Sequence, residues 1–224
     1  MTASTPAPET DGRRRAAAVR RRAREAQIIE ATRAAFDRQG IGEMRIEDIA
    51  AAVGVNRAII YRVFTGKEEL FALTLVSYLD EMRAALEAAA SATEVPADRL
   101  AAIVGAFVDY GVRYPAFVDC AQALMRRRGE DLLLEISESA LFRLGRAISA
   151  NLNILTAALE GLGTPDPVLT ANTLYASGLG ALQLARLGIL VTELAPGVPT
   201  VGTISPDQVR SHLVSSALAL AGAH

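Results

Sequence analysis

RIEDIAAAVGVNRAIIYRVFTGKEEL, residues 45 to 70, is the stretch on which the reading of the fold turns. Ile46, Ile49, Ala50 and Val53 fall at i, i+3, i+4 and i+7, the apolar face of a short helix. Glu47 and Asp48 stand in its first turn, where the helix dipole favours negative charge. Gly54 reads as a left-handed helix stop, Val55 points back inward, and Asn56 caps a further helix from Arg57 to about Phe64. Two short helices joined by a tight glycine turn make a helix-turn-helix. Thr65 and Gly66 break the chain again. Lys67 then opens a long helix through Leu70, Leu73, Leu75, Leu79, Met82 and Leu86 to about Ser91, expected to bridge two domains.

Working outward, Ile28, Ile29, Thr32, Ala35 and Phe36 form one stripe of a helix from about Arg20 to Gln39, closed by Gly40. Beyond Pro96 the pattern stays helical: Ala97 to Arg113, Pro115 to about Arg127, a long run from Glu130 to Glu160, Pro167 to Leu187, and Pro206 to Ala221. Pro115, Pro167 and Pro206 sit where first helical turns tolerate them. Gly188 to Ser205, with Pro196, Gly197, Pro199 and Gly202, reads as a loop, and loops this long in compact domains usually have a job.

The 224 residues suffice for a small domain followed by a larger one. Ala and Leu dominate the apolar residues and Trp is absent, which favours helices over sheets. The expected class is therefore all-α: a disordered basic tail over residues 1–19, a three-helix helix-turn-helix domain over 20–66, and a helical effector-binding and dimerisation domain over 67–224. Charge is divided accordingly. Between Gly12 and Lys67 there are 13 Arg and Lys against 6 Asp and Glu, whereas from Phe71 onward there are 10 against 15. A basic front end on an acidic chain is the electrostatic footprint of a nucleic-acid-binding unit attached to something else.

The single cysteine, Cys120, excludes an internal disulfide, and its expected role is a small buried apolar group. Met1 to Gly12 lacks the apolar core of a secretory signal, so a cytoplasmic location is expected. Val168 to Ala185 carries no charge, but Thr170, Asn172, Thr173, Ser177 and Gln183 interrupt it. A buried helix at a dimer interface explains it better than a membrane span.

The stretch from Arg24 to Leu70 resembles the DNA-binding domain of the TetR/AcrR family of bacterial regulators. Ile28, Ile29, Ala31, Phe36 and Gly40 look like that family's first helix, Ile49-Ala50 and Gly54-Val55 its second helix and turn, and Tyr61, Phe64, Lys67, Glu68 and Leu70 its recognition helix and the start of the fourth. This sequence departs from the pattern at Arg45, where the family usually has Thr, at Ala58-Ile59 in place of Gly-Thr, and at Val63 in place of His or Tyr.

A helix-turn-helix lays its second helix in the major groove with the first helix across the backbone, so residues 56 to 62 are the expected readers. Asn56, Arg57, Ala58, Ile59 and Arg62 face bases or phosphates in that reading. Arg57 is suited to paired hydrogen bonds with guanine, and Ala58 and Ile59 to a thymine methyl. The resemblance implies a phosphate contact for the Tyr61 hydroxyl. Lys67 at a helix start opposes the dipole, which points to a phosphate there, and Arg45 is a further candidate. Arg13 to Arg15 and Arg20 to Arg22 would hold the duplex electrostatically or enter the minor groove. Arg126 to Arg128 read as an ordinary solvated helix end.

The sequence offers no catalytic constellation and no metal-ligand spacing; His212 and His224 stand alone, and neither enzyme activity nor a cofactor is expected. The expected function is a repressor that binds an inverted-repeat operator as a homodimer and is released by a small lipophilic effector. Its pocket is expected among Phe107, Tyr110, Tyr114, Phe117, Leu124, Phe142 and Tyr175, with Asn151 or Asn153 as polar anchors. Its dimer contact is expected on Ala181, Leu184, Leu213 and Ala217. An enzyme or helical binding protein, and a DNA-binding or architectural protein without a ligand, are the alternatives.

Overall fold

The computed structural model describes residues 8–42, 44–127 and 129–222. Among these residues the regular structure is helical apart from one hairpin. It starts with α1 (Pro8–Gln39), whose inner half buries Ile28, Ile29, Thr32, Ala35 and Phe36. Residues 8–19 are helical where a disordered tail was expected. The run of Ala, Arg and Glu consists of strong helix formers that extend the packed half, although this outer part is exposed from Gly12 to Arg24. Gly40 then turns the chain at φ 76.

The compact unit that follows comprises α2 (Ile46–Val53) and α3 (Arg57–Val63), joined through left-handed Gly54 at φ 70. Ile46, Ile49 and Ile60 fill the space beneath α1. α4 (Lys67–Ala90) belongs to both halves of the molecule. Its first turns pack on α1, with Phe71 edge-on to Phe36 at 4.9 Å, while Tyr78, Leu79, Met82 and Leu86 lie in the larger core.

That core is built by α5 (Pro96–Arg113), α6 (Pro115–Met125), α8 (Glu138–Glu160), α9 (Pro167–Leu187) and α10 (Pro206–Leu220), with α4 between α5 and α8. The run expected as one helix from Glu130 to Glu160 is broken. α7 (Gly129–Glu135) ends before Ser137, whose hydroxyl accepts from the Ala140 amide and caps α8. A serine cap satisfies an amide that a continuous helix would bond elsewhere, so it starts a new helix in mid-run.

The expected loop at 188–205 is an antiparallel hairpin of β1 (Ile189–Ala195) and β2 (Val198–Thr203), with Val191 opposite Val201 and Gly197 turning at φ 78. Two runs rich in β-branched residues flank Pro196-Gly197, which is a hairpin signal in its own right. Among the described residues no helix is long and apolar enough to cross a membrane. The charge-free stretch forms most of α9, with Leu174, Leu179 and Leu182 turned inward and Thr173, Ala176 and Gly180 outward.

Candidate nucleic-acid interface and interior cavity

The helix-turn-helix head is assembled by local hydrogen bonds. Asp48 accepts from the Arg45 amide at 2.9 Å, fixing the start of α2 without the hydroxyl residue usual at that point. Asn56 Oδ1 accepts from the Ile59 amide at 3.1 Å, so its side chain caps α3 rather than standing free. Ile60 is fully buried and anchors the helix, which leaves Arg57, Ala58, Tyr61 and Arg62 on the exposed face and Ile59 half-buried. Tyr61 is 53% exposed.

Arg57 reaches back to α2 and donates to Glu47 Oε1 at 3.1 Å. The Glu47 carboxyl is held below its usual range by a hydrogen bond from its own backbone amide and by Arg57. This ion pair is exposed, so a better acceptor displaces it at little cost. Lys67 is half-buried at the start of α4 with its ammonium 4.9 Å from the Phe71 ring centre. Arg45 is exposed at the start of α2. Arg45, Arg57, Tyr61 and Arg62 are thus all exposed on the helix-turn-helix. The basic run at 13–22 extends away on the helical arm rather than on a loose tail. Arg128 and His224 lie outside the described residues, and His212 is exposed on α10.

Two polar networks tie this head to the larger domain. Arg33 on α1 donates to the Ser77 carbonyl at 3.2 Å and pairs with Glu81, its guanidinium 4.2 Å above the Tyr78 ring. The Tyr78 hydroxyl donates to Asp37 at 2.6 Å, and the Tyr110 hydroxyl donates to the Tyr78 carbonyl at 2.9 Å. Below the reading head, Glu69 accepts from the Thr65 amide at 2.6 Å and from the hydroxyls of Thr65 and Ser137. Burial pushes the Glu69 carboxyl up, but these donors outweigh it and hold the group below its usual value. Arg127 adds bridges to Glu68 at 3.3 Å and Glu135 at 3.2 Å.

An apolar cavity of about 40 Å³ lies deeper, walled by five helices: Met82 from α4, Phe107 from α5, Asn151 from α8, Tyr175 from α9 and Leu213 from α10. Asn151 is 4% exposed and its Oδ1 has no hydrogen-bond partner. Burial pushes the Tyr175 hydroxyl up to about 12.

Of the residues expected to line a pocket, Phe107 and Tyr175 do. The others lie outside the lining of this cavity. Phe117 is packed into the core, Tyr110 is engaged with Tyr78, and Tyr114 sits at the α5–α6 junction with its ring 4.8 Å from Tyr110. Leu124 lines a separate charged crevice beside Lys67, and Phe142 is 67% exposed. Asn153 faces solvent, two residues on from Asn151 and so on the other side of α8. The expected dimer residues divide similarly. Leu213 and Ala217 are buried inside this chain, because α10 turns Val209, Leu213 and Ala217 onto α5 and α9, whereas Ala181 and Leu184 are half-buried on α9. Sequence spacing had identified the aliphatic lining residues Met82, Leu86 and Leu213 as apolar but not as cavity walls. Cys120 is buried, and burial raises its thiol far from the thiolate form. Among the described residues no group of His, Cys, Asp and Glu could hold a metal.

Two short helices joined by a left-handed glycine turn, with arginines on the exposed face of the second, have the arrangement of a helix-turn-helix. The family model for bacterial regulatory proteins of the tetR family matches residues 28–74, the segment from the inner half of α1 into α4. A curated relative, the HTH-type transcriptional regulator BetI of Brucella anthropi, is 32% identical over 81 residues, which cover 36% of this chain and 42% of BetI. The chain therefore aligns with less than half the length of that relative. A tetR-family regulatory protein from Rhodococcus RHA1 superposes with a TM-score of 0.61 at 18% identity, covering 88% of this chain and 96% of its own. RolR, solved in complex with resorcinol, gives 0.62 at 16% identity over 91% and 89%. At those identities the two structures establish the shared fold.

Proposed function

We propose that the chain is a transcriptional repressor that holds an inverted-repeat operator as a homodimer and releases it when a small apolar effector enters the α4–α10 cavity. The observation that carries this reading is continuity: α4 supplies Met82 and Leu86 to the cavity wall and begins at Lys67, immediately after the reading helix. A ligand that spreads the cavity walls tilts α4 and with it the head. Two heads must sit about 34 Å apart to enter successive major grooves, so a small tilt in each subunit spoils the match. RolR, a protein of the same fold, was solved with resorcinol bound, which supports a ligand site within this architecture.

The dimer is assigned to the outward faces of α9 and α10. Thr173, Ala176 and Gly180 present small side chains, and Leu169, Leu187 and the exposed hairpin residues Val191 and Leu194 add apolar surface close by. Within the reading head, Arg57 and Arg62 are assigned to base edges or phosphates, Asn56, Ala58 and Ile59 to the groove surface, and Arg45, Tyr61 and Lys67 to phosphates. The cavity is smaller than usual ligand sites of about 300 Å³ or more, which favours a second reading as a DNA-binding protein without an effector.

The test is retardation and footprinting of the DNA flanking the protein's own gene, repeated with lipophilic compounds. Wild type protects a two-fold site. Tyr61→Ala with Lys67→Ala weakens binding to all sequences and flattens its salt dependence, whereas Arg57→Ala relaxes preference at one base pair for about 1 to 3 kcal/mol. Equal binding by wild type and both variants excludes α3 as the reader, and protection insensitive to every compound favours the second reading.

A further inference from the structure

We propose that Asn151 Oδ1 is the recognition point for the effector, which is a neutral compound with an apolar body and one hydroxyl or N–H donor. The inference rests on the effector reading above and names the chemistry that it leaves open. Asn151 Nδ2 donates to the Leu79 carbonyl at 3.0 Å and to the Ala147 carbonyl at 2.8 Å. Only the amide nitrogen can donate to two carbonyls, so the orientation of the side-chain amide is fixed by its partners. Its oxygen is consequently turned away from both, buried without a partner in a residue that lines the cavity.

A buried carbonyl without a donor is costly: Met82, Leu86, Phe107 and Leu155 supply none, and the Tyr175 hydroxyl, also in the lining, makes no hydrogen bond to it. A ligand donor removes that cost. A cationic donor is excluded by the same walls, because nothing there balances a desolvated charge. Specificity follows from the asymmetry: a site built around an unpaired acceptor rejects an isostere that lacks the donor. The cavity of about 40 Å³ has room for a water but not for a ring, so entry of a ring must displace side chains. Met82, flexible and unbranched, is the residue most able to yield. Since Asn151 also holds the Leu79 carbonyl of α4, a ligand engaging it acts on a side chain already bonded to the helix that carries the reading head.

The experiment uses phenol, toluene and anisole, rings of similar size of which phenol alone has a donor, with calorimetric Kd and thermal shift measured on the full chain. Phenol is expected to bind wild type about tenfold more tightly than toluene or anisole, the worth of one buried hydrogen bond. Asn151→Leu abolishes that preference. Should this variant fail to fold, the Asn151 side-chain amide resonance in ¹⁵N-asparagine-labelled wild type is expected to move with phenol and stay with toluene. Equal affinity for the three probes, a phenol preference that survives Asn151→Leu, or an unmoved Asn151 resonance overturns the assignment while leaving an apolar effector site standing. If none of the three binds, the cavity holds water at most, and the effector reading falls with the assignment.

Discussion

At the scale of single residues, the charged groups behind the reading helix do more than decorate a surface. Glu69 is buried, yet its carboxylate receives the Thr65 amide and two hydroxyls, one of them from Ser137 at the start of α8. Its pKa in the fold lies below the unfolded value, so the stabilisation it contributes is complete above that unfolded value and is lost as pH falls through the lowered one. Glu69→Gln is therefore expected to cost about 1.5 to 3 kcal/mol at neutral pH, the range for hydrogen bonds to a charged group, and to flatten the acid limb of the stability curve. Urea unfolding at pH 7 and pH 3.5 checks this; a variant as stable as wild type at pH 7 contradicts it.

Among elements, the packing of α5 against α9 and α10 depends on glycines. A methyl group added at Gly178 would stand 2.6 Å from Phe107 Cε1, and one added at Gly111 would stand 2.3 Å from Leu182 Cδ1. Gly178 in the charge-free stretch is thus a site of close approach rather than a weak point in a helix. Gly178→Ala forces the Phe107 ring towards the cavity, with an expected loss of about 1 to 3 kcal/mol from overpacking and weaker binding of any ring-shaped probe. Gly180, two residues on, has open space beside it, and Gly180→Ala is expected to leave the fold intact and slightly stabilised by the gain in helix propensity. Thermal melts of the two variants separate these expectations, and similar destabilisation by both would contradict the assigned contacts.

For the whole molecule, the surface proposed for dimerisation is the outward side of α9, α10 and the hairpin. Val191 is 79% exposed, and Leu187, Leu194 and Leu220 are also open to solvent, an apolar surface that a second copy can cover. Gly180→Arg places a charge in that contact without entering the core. It is expected to yield a monomer with an unchanged helical signal and sharply reduced operator affinity, because the two half-sites are no longer held by linked heads. Light scattering reads the first effect and gel retardation the second; a stable dimer of the variant moves the interface elsewhere. Ala217→Arg would not make the same test, since Ala217 is buried within the chain and its replacement disrupts the fold itself.

The helix-turn-helix was legible because its determinants are local. Gly54 and Asn56 act on neighbouring amides, and the 3.6-residue spacing of Ile46, Ile49 and Ala50 marks a buried face whatever covers it. The helix starts at Pro115, Pro167 and Pro206 were legible for the same reason. The hairpin was obscured by its helical surroundings, although Pro196-Gly197 between β-branched runs signalled it, and the break before α8 lay hidden in Ser137, one residue in an otherwise continuous helical pattern. What only the tertiary structure decided is which apolar residues face a cavity, a neighbour or solvent. Phe107, Phe117 and Phe142 are alike in sequence, yet one lines the cavity, one fills the core and one is exposed. Periodicity gives a side chain its direction around its own helix. The crossing of five helices determines what stands opposite it, and that left Asn151 Oδ1 without a partner.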